Sequence, residues 1–113
     1  MPRTNARTYT PEEIAVLKRN LIRAFESLLT KYPFKPGQLV RWKEGLKNKR
    51  LPERNAPAIV WETLLNPIFD NSKTVVAGSL YFKEPLDIVL GVMDEDEFVL
   101  FHYDSRRLEP IPE

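Results

Sequence analysis

Cysteine is absent from the 113 residues, histidine occurs once, glycine four times, and methionine and tryptophan twice each. A chain without thiols has no disulfide, no thiolate metal site and no thiol nucleophile, which fits a reducing, cytoplasmic setting. A single histidine, His102, rules out metal sites built on two imidazoles, and no Gly-rich turn is present to cradle phosphate. No run approaches the ~20 apolar residues of a membrane span. The opening residues, MPRTNARTYT, lack the apolar stretch of an export signal. The expectation is a chain that neither spans a membrane nor catalyses, with no cofactor, no metal and no evident small-molecule substrate.

What is present is enough for one core. Hydrophobic residues make up 42% and charged residues 29%, with six Phe and four Tyr, so burial can offset chain entropy over a single domain. The net charge of +1 hides a strong asymmetry. Residues 1–54 carry 13 Lys or Arg against 5 acids, a balance of +8; residues 55–113 carry 4 against 11, a balance of −7. Such polarity pairs the two halves internally, steers a basic face toward an acidic partner, or drives head-to-tail contact between copies.

Tyr9-Thr10-Pro11-Glu12-Glu13-Ile14 has the form of a helix start, with Thr10 as cap, Pro11 in the first turn and Glu13 completing a capping box. Ile14, Leu17, Leu21, Phe25, Leu28 and Tyr32 then recur at helical spacing and predict one buried stripe. Pro33 ends it, so the helix is expected from about Pro11 to Lys31. Beyond it, Phe34-Lys35-Pro36-Gly37 reads as a turn into a strand over residues 38–43, with Val40 and Trp42 on one face. Residues 45–57 are polar and predict an exposed loop, followed by a strand over 58–64 that Asn66-Pro67 closes. Within residues 66–85 a short edge strand near Thr74–Ala77 or a mobile excursion are both open.

The last third predicts a hairpin, Leu86–Met93 and Phe98–Tyr103 around an acidic tip. Pairing Met93 with Phe98 puts Ile88, Leu90 and Val92 on one face with Val99, Phe101 and Tyr103. Residues 104–107 form a tight turn, and Leu108–Ile111 a closing strand. The Gly37-led first strand, basic loop, hairpin, break at Ser105-Arg106-Arg107 and short last strand together resemble a Src-homology-3-like small β-barrel over Phe34–Ile111. The expected class is therefore α+β, an amphipathic N-terminal helix packed on a small antiparallel, partly open barrel. The organisation is one domain over 1–113, with an arm over 1–9, a helix over 10–32 and the barrel over 34–111.

Several constellations compete for function. Arg41, Trp42, Lys43, Lys47, Lys49, Arg50 and Arg54 crowd into 14 positions, cations to meet phosphate with an aromatic to stack on a base. Nucleic acid is thus one expected partner. For Trp42 itself the core beside Val40 is the favoured place, which leaves the cations to carry that reading. Trp61, Ile68, Tyr81 and Phe82 offer more apolar surface than one short core hides, which favours a protein partner or self-association. His102, Asp104 and Ser105 hold the letters of a hydrolytic triad, yet strand neighbours point to opposite faces. The acidic run Asp94–Glu97 lacks the spacing of a calcium loop and reads as a solvated tip.

Overall fold

The computed structural model describes residues 8–69 and 83–112. Helix α1 spans Pro11–Leu29, and the strands are β1 (Leu39–Trp42), β2 (Ala58–Phe69), β3 (Pro85–Asp94), β4 (Glu97–Tyr103) and β5 (Leu108–Pro110). A one-turn 3-10 helix, Ser105–Arg107, joins the last two strands. All pairings are antiparallel and the sheet order is β4-β3-β2-β1-β5. The class is α+β and the sheet does not close on itself; among the described residues β4 and β5 are its edges.

Local chemistry sets these elements. Thr10 Oγ1 accepts from the Glu13 amide at 3.1 Å while Glu13 Oε1 accepts from the Thr10 amide at 2.9 Å, the reciprocal capping box. Gly37 takes φ +90° behind Pro36, and the Gln38 amide donates to the Lys35 carbonyl at 3.1 Å. That turn needs a positive φ at its third residue, which glycine supplies without steric cost. The hairpin register is as expected, with Met93 opposite Phe98 and Ile88 opposite Tyr103.

The core is built by Val40 and Trp42 of β1, Val60 of β2, Ile88, Leu90 and Val92 of β3, Tyr103 of β4 and Leu108 of β5. The segment expected as an exposed loop contributes to it. Leu46 and Pro52 are buried and Leu51 packs on the core, because two buried aromatics spend their polar groups there. Trp42 Nε1 donates to the Pro52 carbonyl at 2.6 Å and the Tyr103 hydroxyl to the Leu51 carbonyl at 2.8 Å.

Two further expectations are corrected. β2 runs past Asn66-Pro67 to Phe69, and the register between Thr63 and Ile68 shifts, so Pro67 sits in an irregular stretch where its missing N–H breaks no regular ladder. The predicted stripe of α1 is not covered: no residue of the helix is buried. The helix meets the rest of the protein chiefly at the 3-10 turn, because the sheet's inner face is already filled by Trp42, Tyr103 and the 46–52 segment. The edge strand entertained near Thr74–Ala77, together with Tyr81 and Phe82, lies outside the described residues.

Candidate interaction surfaces

The basic constellation is taken apart by the fold. Arg41 Nε donates to Glu109 Oε2 at 2.9 Å across the β1–β5 pair. Trp42 is core, its ring edge-on to Tyr103 at 5.7 Å, so it offers no face to a base. Lys43 is buried, against the outward direction its alternation predicts, and its ammonium donates to the Ser27 carbonyl and, at 2.5 Å, to the Thr30 carbonyl, 5.5 Å above the Tyr32 ring. These carbonyls lie at the C-terminal end of α1, where Ser27 also accepts from the amide of the cap residue Thr30, and a cation there complements the helix dipole. Burial lowers the Lys43 pKa, a shift that the charges of Glu109 and Asp104 partly oppose.

Lys47 curls back on its own loop, donating to the Lys49 carbonyl at 2.5 Å and the Arg50 carbonyl at 2.9 Å over the Trp42 ring. Arg50 and Arg54 remain exposed and Lys49 half-buried, with Arg50 reaching Asp94 at 3.4 Å. Lys49 and Arg50 are among the residues that line an open cleft of about 570 Å3, as are Ile68, Phe69, Phe101 and His102. Cations thus stand beside exposed aromatic rings there, although the aromatic is not Trp42.

The 3-10 turn carries a charge network that no local sequence pattern announces. Asp104 accepts from the Arg106 amide at 3.0 Å and from its guanidinium at 2.7 Å. Burial pushes the Asp104 pKa up, but the Arg106 hydrogen bonds outweigh it and hold the carboxyl below its usual range. Arg107 donates to Glu84 and, at 3.0 Å, to the Leu46 carbonyl, while Ser105 donates to Asp87 through its amide and its hydroxyl, each at 2.8 Å. Ser105 and Asp104 are therefore engaged elsewhere, and His102 pairs with Val89 on the other face of the hairpin from Tyr103. The triad letters do not converge on one point.

Apolar surface lies in three places. Four side chains on one side of α1 stand clear of the protein, Leu21 at 69% exposure, Ile22 at 59%, Phe25 at 66% and Leu29 at 62%. On the outer sheet face Trp61 and Phe98 stand with ring centroids 6.3 Å apart and wall a slot of about 350 Å3 with Pro36, Gly37 and Ile59. Ile68 belongs instead to the cleft beside Lys49, so the structure does not join it to Trp61. Comparison with protein-family models, curated proteins and solved structures finds no match. Among the described residues no helix is long and apolar enough to cross a membrane, and no group of three His, Asp or Glu side chains is arranged to hold a metal ion.

Proposed function

We propose that this chain is a non-enzymatic protein-interaction and self-assembly module whose working surface is the apolar side of α1. The observation that carries it is the helix: 19 residues, amphipathic, properly capped, and with none of them buried. In proteins most helical stability comes from packing of the amphipathic face rather than from propensity, and that packing is missing here. Covering Leu21, Ile22, Phe25 and Leu29 would remove a contiguous apolar patch from solvent and stabilise α1 together with its partner. The likeness to a Src-homology-3-like barrel is part of the proposal, supported by the strand order and by the 3-10 turn between β4 and β5. A cytoplasmic setting, expected of a chain without cysteine, goes with it.

Sedimentation velocity over rising protein concentration tests the reading. The wild type is expected to move to faster species, and Phe25→Asp to stay at the monomer value with an unchanged fold. A wild type that sediments as a monomer at every concentration overturns it.

A second reading, nucleic-acid binding, is supported by the cleft that sets Lys49 and Arg50 beside Phe69, Phe101 and His102. Of these cations Arg50 is exposed and Lys49 half-buried, and the rings offer flat faces to bases.

A further inference from the structure

We infer that the cleft beside Lys49 takes one unpaired nucleotide of a single strand, its base laid against the rings of Phe69 and Phe101 and its phosphate toward Lys49 and Arg50. This rests on the nucleic-acid reading and names the form of nucleic acid it concerns. The site is assembled from three places in the chain. Past Pro67, β2 goes on pairing with β3, Ile68 with Leu86 and Phe69 with Pro85, which carries an aromatic ring to the end of the sheet. Phe101 stands on β4 opposite Leu90, two residues before Tyr103 and therefore on the same side of the strand. Residues 49–51 complete the cleft, and their three carbonyls all accept hydrogen bonds, those of Lys49 and Arg50 from the Lys47 ammonium and that of Leu51 from the Tyr103 hydroxyl. The backbone that presents the two cations is thus held before a ligand arrives, which lowers the ordering cost of binding.

The lining decides the chemistry. Of the nine residues that line the cleft, two are cations, one is His102 and none is Asp or Glu. Among the described residues the Lys49 ammonium has no hydrogen-bond or ion-pair partner. Arg50 has Asp94 at 3.4 Å, with 75% of its side chain exposed, and such an open pair yields at little cost. These cations call for an anion. Phe69 and Phe101 keep 48% and 43% of their surface exposed, whereas Leu86 and Tyr103 are buried, so the anion must be joined to a body that rings can cover. A nucleotide carries its phosphate one sugar away from a flat ring, and a single cleft meets both. In an acidic peptide the charge and the ring sit on separate side chains, each of which costs rotamer entropy to fix. A paired base shows only its edges, so a protein ring stacks on it only once it has left the duplex. An open cleft of about 570 Å3 is of the size that holds a small ligand, and so admits one such unit rather than a double helix.

Fluorescence anisotropy of the full-length protein with a labelled oligothymidylate strand and a labelled duplex of the same length, at several salt concentrations, tests this. The strand is expected to bind several-fold more tightly than the duplex, and thymidine monophosphate to compete only weakly. Phe101→Ala and Phe69→Ala should each weaken strand binding roughly five- to a hundredfold without changing its salt slope, and Phe101→Tyr should retain it. Lys49→Gln together with Arg50→Gln should instead flatten the slope by up to about two units. Circular dichroism checks the fold of each variant. A duplex bound as tightly as the strand, with both alanine variants without effect, overturns the unpaired base and leaves the nucleic-acid reading standing. Thymidine monophosphate that competes as well as the strand, nucleotide for nucleotide, overturns the strand as the ligand. A peptide of alternating Glu and Phe that displaces the strand as readily as unlabelled strand does overturns the base. A wild type that binds neither strand nor duplex at low salt overturns this inference and the nucleic-acid reading together.

Discussion

Tyr103 shows how a single side chain ties three parts of the protein together. Its ring is buried against Trp42, its hydroxyl closes the 46–52 segment through the Leu51 carbonyl, and its backbone pairs with Ile88. Burial pushes its pKa from 10.0 up to about 12, because the phenolate would lose water without gaining a partner. A folded value above the unfolded one means that stability is fully present below about pH 10 and is lost as pH rises through about 12. Tyr103→Phe should cost about 1–2 kcal/mol at neutral pH, since a buried carbonyl loses its donor. The variant should also lack the alkaline loss. Urea midpoints for both proteins across that window check it. Asp104 gives the acid counterpart: its depressed pKa contributes stability above the usual value of 3.8 that disappears as pH falls through the folded value. Asp104→Asn should lower stability at neutral pH and flatten the acid limb of the same titration.

The elements divide into those that carry their own instructions and those that depend on a neighbour. The capping box of α1 and the β3–β4 hairpin were legible, because caps and period-two alternation are local properties of Thr10, Glu13 and the run from Ile88 to Tyr103. The end of β2 and the buried part of the 45–57 segment were not. Both follow from long-range pairing, with β3 drawing residues beyond Pro67 into the sheet and Trp42 and Tyr103 drawing in Leu51 and Pro52. Helix α1 belongs to both groups. Its stripe was readable, but periodicity does not say what lies opposite. Phe25→Ala should therefore cost under about 1 kcal/mol in a dilute monomer, against the ~3–5 kcal/mol of a buried Phe. Leu90→Ala, at a fully buried position, should cost about 2–5 kcal/mol in the same denaturant series. A large loss at Phe25 would mean that the helix is covered.

Across the whole molecule, apolar surface and charge are both distributed away from the core. The Cα radius of gyration is 16.8 Å, whereas a compact domain of this length has roughly 13 Å, which accords with an uncovered helix and a long β2. The second reading is tested at this scale, because phosphate binding depends on the summed field. Changing Lys49, Arg50 and Arg54 together to Gln should flatten the salt dependence of single-strand binding by up to about three units, one per lost phosphate contact. Fluorescence titration at several salt concentrations reads it, and a wild type that fails to bind at low salt retires that reading. Lys47 stays out of the substitution, since it closes its own loop through two carbonyls. The sequence by itself determined the cap of α1, the hairpin register, the polarised charge and the α+β class, all set by neighbours along the chain or by alternation. Only the tertiary structure decided that Trp42 and Lys43 serve the interior, that Arg41 answers Glu109, and that the stripe of α1 is left open. Burial and pairing depend on which distant groups arrive within a few ångströms, and no local spacing encodes that.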